Sequence, residues 1–396
     1  MHFSRWKRMR KNRDWGSPCL PLSRLSGPCS VYVHIPFCLR KCPYCSFYSL
    51  PLRRGEEEGY LSRLVEEIRF HGEMLGGRVR AETVYFGGGT PSLLSPGQWS
   101  RIFSVLRSCI PFEPGAEITV EANPESLSAE HLSIWKDWGV TRVSVGVQSF
   151  SDRELRWLER PHGAAEARRS LEMSVKAGFS VSADFIFGLE GQTLRQWKAS
   201  LSEALDRGTE HVSIYQLSIE QGCRWFSNPP GEGPDGYPFY RWSQWYLPRK
   251  GFDQYEIASF CLQDRQCRHN LAYWTGKSVV ALGAGAWGCL EGTRYRNEPS
   301  VEKYSGALRE RGNAFLEAQV LPRKKEARQA AVLLLRTKWG IPFRDFQSRY
   351  GSNSLKEILR ILREDVPKDC IAFRPDGAAL TKRGMRVGNA IWSLLI

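Results

Sequence analysis

From residue 31 onward, short runs of β-branched and apolar residues alternate with longer stretches in which apolar positions recur every three or four residues. The runs cover residues 31–35, 83–86, 117–121, 142–147, 181–187 and 211–217, each bounded by Gly, Pro or Asn. The longer stretches cover 57–74, 96–107, 129–138, 164–177 and 194–205. Short runs between turn residues predict strands, and the 3.6-residue rhythm predicts helices. Strand and helix in strict alternation predict a parallel sheet with right-handed crossovers. Six such units fall short of the eight of a closed barrel, so the expected fold is α/β, an open, partial (βα)6 barrel.

The rhythm breaks after Leu217. A Pro/Gly stretch at 228–238 precedes an expected helix at 239–250 and the glycine-rich run LGAGAWG. Past residue 320 the chain turns basic and helical (328–338, 342–350, 355–364), then gives a short strand, a Pro375-Asp376-Gly377 turn and a last helix. The expected organisation is a barrel core at 31–225, an extension of it at 226–320, and a small α-rich, winged-helix-like domain at 321–396.

Charge sharpens this division. The whole chain of 396 residues carries a formal +14. Residues 1–30 hold seven Lys/Arg against one Asp, and residues 322–396 hold sixteen against seven acids. The middle is therefore close to neutral. Residues 1–30, rich in Ser, Pro and Gly and without periodicity, read as a disordered basic extension; lacking an apolar stretch, they do not resemble a secretory signal. The eleven cysteines, an odd number in a long chain, fit reduced thiols in the cytoplasm better than a disulfide framework. The basic ends leave open an anionic partner, nucleic acid or a membrane surface.

Three of those thiols stand apart. Cys38, Cys42 and Cys45 fall within eight residues directly after the first expected strand. Thiolates at C-x3-C-x2-C spacing suit three corners of an Fe4S4 cube, with the fourth iron left for a chelating small molecule. Structural zinc with His34 as a fourth ligand is the competing reading. The remaining cysteines are isolated and read as small buried apolar residues, although Cys261 and Cys267 with His269 form a second candidate set.

In parallel α/β barrels chemistry collects where strands end. Here the second strand runs into Gly87-Gly88-Gly89-Thr90, the third ends at Glu121-Ala-Asn123-Pro, and the fourth at Gln148. Asp184 lies in the fifth, and the sixth leads to Ser218. Glycines let backbone amides approach a ligand, and the polar side chains can read an ammonium, a ribose or an adenine edge. Each alone is equally a turn or cap residue; together they surround the thiol loop.

The strings YVHIPFCLRKCPYC, GGGTPS, VEANPE, SVGVQSF, ADFIFGL and RHNLAYW closely resemble the oxygen-independent coproporphyrinogen III oxidase-like radical SAM family over residues 31–396. The resemblance implies a radical SAM barrel, a [4Fe–4S] cluster on Cys38, Cys42 and Cys45, and S-adenosylmethionine held by Tyr32, Gly88, Gly89, Thr90, Glu121, Gln148, Arg160 and Asp184, with Ser218 as a further contact.

Within that family the decarboxylating branch carries a fourth cysteine two positions after the third. Here that position is Phe47, and CPYCSF resembles the HemW branch of heme chaperones. That branch implies heme as ligand, heme-accepting respiratory proteins as partners, and His269, Asn270, Tyr273 and Trp274 of the H-N-x-x-Y-W string as heme contacts. An imidazole for iron beside two aromatic rings suits a porphyrin, and equally a packed turn. The sequence departs from the branch at Trp287, where relatives carry His, and at Glu190, where they commonly carry Pro. Two alternatives stay open: anaerobic oxidation of coproporphyrinogen III, and a nucleic-acid-binding or RNA-modifying role for the basic tail. The tail lacks interleaved aromatics, so nucleic acid is not expected.

Overall fold

The computed structural model describes residues 20–53 and 55–396. Six parallel strands form its centre: β1 (Gly27–Ile35), β2 (Val79–Gly88), β3 (Phe112–Ala122), β4 (Arg142–Gln148), β5 (Ser180–Phe187) and β6 (His211–Gln216). They pair in chain order, each parallel to the next. Helices Glu56–Leu75, Pro96–Cys109, Ala129–Asp137, Ala164–Lys176 and Leu194–Asp206 make the returns. The architecture is the expected α/β partial barrel. Helix starts are fixed locally: Ser95, Ser128 and Thr193 each accept a backbone N–H from the third helical residue, and that residue's side chain reaches back.

Alternate residues of each strand divide the two faces. Val31, Val33, Val84, Phe86, Val120, Val143, Val145, Val181 and Val212 are buried on the side covered by helices. The other face turns Tyr85, Thr119, Glu121, Arg142, Ser144, Asp184, His211 and Ser213 into the barrel. A filled barrel usually carries branched aliphatics inside; this interior is polar.

The sheet runs past both expected edges, to twelve strands. Val279–Leu282 pairs parallel to β1, followed by antiparallel Trp287–Leu290, Thr293–Asn297 and Phe315–Gln319. On the other side Ser259–Cys261 and Asp253–Gln254 extend β6 antiparallel. These outer strands are two to five residues long, too short for period-two alternation to show. The expected disorder of residues 1–30 lies outside the described residues up to residue 19 and is corrected beyond it. Leu20, Leu22 and Leu25 are buried in the main core, and β1 starts at Gly27, which pairs with Val79. Apolar spacing too sparse to read as periodic nonetheless buries these side chains. The C-terminal helices also shift: the expected 328–338 is Arg323–Leu334.

Residues 323–395 pack around their own cluster, which includes Leu335, Ile341, Phe346, Ile358, Leu362 and Leu395. A three-stranded antiparallel sheet of Ile341–Pro342, Gly377–Leu380 and Ile371–Arg374 closes it. One contact with the barrel is Arg336, whose guanidinium lies 4.2 Å from the Trp274 ring and 5.1 Å from Trp392 of the same C-terminal layer; Lys382 and Arg386 meet Gln244 as well. Among the described residues no helix is long and apolar enough to cross a membrane.

The glycine-rich run is held by one buried carboxylate. Glu67, on helix Glu56–Leu75, accepts from Gly283 N at 2.6 Å, Asn297 Nδ2 at 2.6 Å and Tyr304 Oη at 2.7 Å. Burial pushes its pKa up to about 7 against the pull of these donors. Glu67→Gln turns an N–H2 toward donors and leaves one of them unsatisfied. The expected loss is about 2 kcal/mol, read as a fall in thermal midpoint; an unchanged midpoint would refute this account of the anchor.

Candidate functional site

The cysteine loop grows out of β1. Phe37–Cys38 pairs parallel with Leu50–Pro51, and Leu50 N donates to Pro36 O at 2.7 Å and Leu52 N to Cys38 O at 2.8 Å. The loop is thus tied at its base, with the three thiols on the stretch between. Cys38, Cys42 and Cys45 are all free thiols; Cys42 is buried and the others half-buried.

The glycine triplet fits against this base. Gly89 N donates to Ile35 O at 2.8 Å and Thr90 N to Phe37 O at 2.6 Å. A Cβ on Gly89 would sit 2.4 Å from the Phe37 carbonyl oxygen, and one on Gly88 2.4 Å from the His34 ring. Gly88 also holds φ at +117°, a conformation L side chains rarely adopt. Gly89 is glycine because the backbone of one strand end lies on the backbone of the other, and Gly88 because of its φ and the His34 ring.

From Thr90 a polar chain crosses the mouth. Asn123 Nδ2 donates to Thr90 Oγ1 at 2.9 Å, and its Oδ1 accepts from Arg160 Nη2 at 2.8 Å. Arg160 Nη1 lies 3.4 Å from Cys42 Sγ. Asn123 was not singled out by sequence; the signal was the Asn-Pro closing VEANPE. Glu121 accepts from Tyr85 Oη at 2.7 Å and Gly88 N at 3.2 Å. Asp184 accepts from Ser144 Oγ at 2.9 Å and Ser182 Oγ at 3.3 Å. Burial pushes Glu121 up to about 7 and raises Asp184. Both line an internal cavity of about 50 Å³, with Arg142, His211, Tyr215 and Asn270 among its other walls. Gln148 ends β4 at φ +62°, beside a register shift against β5. Tyr32 Oη bonds His34 Nδ1 at 2.9 Å, and its ring stacks on Tyr85. Ser218 lies exposed beyond β6, away from the cavity walls.

His34 Nε2 lies 2.9 Å from the Tyr48 carbonyl oxygen. A carbonyl only accepts, so Nε2 carries the proton and Nδ1 accepts from Tyr32. Both ring nitrogens are engaged, which removes the fourth ligand of the zinc alternative. Among the described residues no three His, Cys, Asp or Glu side chains converge as a single-ion site requires.

The H-N-x-x-Y-W string forms helix Arg268–Thr275 at the opposite end of the barrel. Glu117 accepts from Arg268 N at 3.1 Å and His269 N at 3.0 Å. Arg142, 3.7 Å from Glu117, donates to the carbonyls of Arg265 and Gln266. The helix closes the barrel floor. His269 is buried, with Nδ1 2.8 Å from Thr83 Oγ1 and its ring 5.0 Å from Tyr85; burial lowers its pKa to about 3. Tyr273 Oη donates to the Trp287 carbonyl at 3.2 Å, and Trp274 covers Arg336. His269 is buried in the floor, whereas Tyr273 and Trp274 are half-buried. Asn270 alone keeps surface toward the cavity. The second candidate metal set also fails to assemble: Cys267 Sγ faces Glu117 at 3.6 Å.

The comparisons with known proteins follow this geometry. Residues 32–204 match the model of the radical SAM superfamily. A heme chaperone HemW of Bacillus subtilis is 31% identical over 377 residues, covering 93% of this chain and 99% of that one. The chain belongs to the HemW family of radical SAM proteins. An Escherichia coli heme chaperone HemW is 36% identical over 266 residues, covering 66% of this chain and 70% of that one. A mouse protein named radical S-adenosyl methionine domain-containing protein 1, mitochondrial, is 36% identical over 281 residues, covering 69% of this chain and 63% of that one. The solved structure of coproporphyrinogen III oxidase (HemN) from Escherichia coli superposes with a TM-score of 0.83 at 20% identity, covering 94% of this chain and 91% of that one, and shows the shared fold. Membership of this family implies a [4Fe–4S] cluster and S-adenosylmethionine.

The donor set fits the cluster: three free thiols in one tethered loop, beside the Arg160 cation. Burial raises Cys38, and raises Cys45 to about 11, so their thiolates need the positive charge that iron supplies. Gly89→Ala forces the loop base off its seat. Iron bound after anaerobic reconstitution is expected to fall to below about a third of wild type, with the far-UV spectrum retained. Full iron loading in this variant would refute the backbone-contact account.

Proposed function

We propose that this protein binds heme and passes it to heme-dependent respiratory proteins in the cytoplasm, with a [4Fe–4S] cluster and S-adenosylmethionine as its cofactors. The observation that carries the reading is the near-complete alignment with heme chaperones of the HemW name. Phe47 supports it: the position that bears a fourth cysteine in the decarboxylating branch is an exposed phenylalanine.

On this reading Cys38, Cys42 and Cys45 hold the cluster. Gly88, Gly89, Thr90, Glu121, Gln148, Arg160 and Asp184 surround S-adenosylmethionine, with Tyr32 behind them and Ser218 at the edge. A cluster held by Cys38, Cys42 and Cys45 would supply one-electron chemistry beside the S-adenosylmethionine site. Glu121 would accept from ribose hydroxyls or an ammonium, and Gln148 and Asp184 would read sugar or adenine edges. Heme contact by His269, Tyr273 and Trp274 then requires helix Arg268–Thr275 to leave Glu117.

The oxidase alternative has the fold likeness to coproporphyrinogen III oxidase in its favour. Against it stands Phe47, which offers no thiolate where the decarboxylating branch carries its fourth cysteine.

Replacing Cys38, Cys42 or Cys45 by Ala is expected to abolish the brown absorbance of anaerobically reconstituted protein, while Cys109→Ala and Cys370→Ala leave it. S-adenosylmethionine is expected to perturb the EPR spectrum of the reduced cluster, less so in Asp184→Ala and Glu121→Ala. Zinc in place of iron and sulfide would sink the cofactor reading.

Heme titration separates chaperone from oxidase. The expected result is about one equivalent bound per chain, a shifted Soret band and weaker binding in His269→Ala, and no conversion of coproporphyrinogen III. Robust turnover of that substrate would establish the oxidase instead. Heme spectra identical in wild type and His269→Ala would place the iron ligand elsewhere.

A further inference from the structure

We infer that the segment just after β6, together with Glu159, is a clamp that holds the cysteine loop in its ligating shape before any cluster is present. The inference rests on the cluster reading above, and concerns Trp225 and Glu159 as positioning residues.

The segment doubles back over the loop rather than leaving the barrel. Trp225 N donates to the Pro43 carbonyl at 3.0 Å, a backbone bond into the middle of the Cys42–Cys45 turn. The Trp225 ring lies 5.9 Å from that of Tyr44, also in the turn, and 4.6 Å from Trp157. Trp225 is buried although the segment lies at the molecular surface. It belongs to a separate apolar cluster with Leu158, Ile186, Leu189 and Cys223, against which Tyr44 and Trp157 pack. This cluster is distinct from the main barrel core and includes Ile186 of β5, so it ties the turn to the barrel wall.

Charge closes the clamp from the other side. The Glu159 carboxylate pairs with Arg40, between Cys38 and Cys42, and with Arg224, next to Trp225. One side chain thereby ties the loop to the segment. Glu159 has φ +52°, a conformation that costs energy outside glycine. It lets neighbouring side chains diverge: Glu159 toward Arg40 and Arg224, Arg160 toward Cys42 and Asn123. Ser46 Oγ adds a bond to Glu220 at 3.4 Å.

Trp157 is itself held: its Nε1 donates to Glu190 at 3.1 Å. The acid fixes Trp157, which supports Trp225, which supports the turn.

A loop held this way meets iron with its ordering entropy already spent. The arrangement also covers the Cys42–Cys45 turn with indole rings, which limits access of water and oxygen to metal bound there.

The test uses the full chain without its cluster. Trypsin can cut after Arg40 and Lys41 only if the loop opens, so cleavage there reports the opening population. Wild type is expected to resist cleavage at these bonds, with Glu159→Gln cut about five-fold faster, Trp225→Ala faster still, and Trp225→Phe close to wild type. Glu159 is a surface residue, so its variant keeps the test decisive if Trp225→Ala does not fold. The same Glu159→Gln protein, reconstituted, is expected to lose its visible absorbance several-fold faster in air. Equal cleavage rates in wild type and Glu159→Gln overturn the clamp. The proteolysis needs neither heme nor S-adenosylmethionine, so its result is independent of the proposed function.

Discussion

Two backbone hydrogen bonds set the geometry of the whole upper face: Gly89 N to Ile35 O, and Thr90 N to Phe37 O. They continue the pairing of β1 and β2 past the end of the sheet and into the segment that carries the thiols. Everything nearby takes its position from that seam. Thr90 faces Asn123 because its own backbone is fixed on Phe37, and Asn123 in turn orients Arg160 on Cys42. A single Cβ at residue 89 would enter the seam, so tolerance there is set by sterics rather than by polarity.

The barrel is open at one end and closed at the other, and the closure is electrostatic. Glu117 meets the first two amide groups of helix Arg268–Thr275, where the helix dipole is positive, while Arg142 meets the carbonyls just before it. Two buried, opposite charges thus satisfy backbone groups that would otherwise be stranded inside the floor. A polar barrel interior follows from the same logic: the mouth must accept a charged small molecule, the floor must anchor a helix end, and no aliphatic layer separates them.

The central fold was legible because its repeat is long and regular. Each βα unit announces itself twice, by β-branched runs and by helical periodicity. The cysteine loop stood out by its spacing, and Glu121 and Gln148 by their places at strand ends; Glu121 and Asp184 line one cavity. Four things were not legible. The outer strands are too short to carry a period. The polar chain through Asn123 depends on side chains 30 or more positions apart in sequence. The H-N-x-x-Y-W string shows a composition suited to a porphyrin, but burial decides its surroundings: His269 stacks on Tyr85 and bonds Thr83, which no local pattern could reveal. The Glu159 bridge was equally invisible, since an acid next to Arg160 reads as an ordinary solvated surface.

The joint between the barrel floor and the C-terminal layer has a further consequence. It is made in part by a guanidinium held between the rings of Trp274 and Trp392, with Glu256 at 3.8 Å. Arginine keeps its charge across the physiological range, and its attraction to an indole face is short-ranged and largely shielded from dissolved ions. Surface ion pairs such as Arg383–Asp369 and Arg360–Glu364 weaken as ionic strength rises. This contact between the two halves therefore persists in concentrated salt, where exposed pairs, Lys338–Asp253 across the same joint among them, weaken.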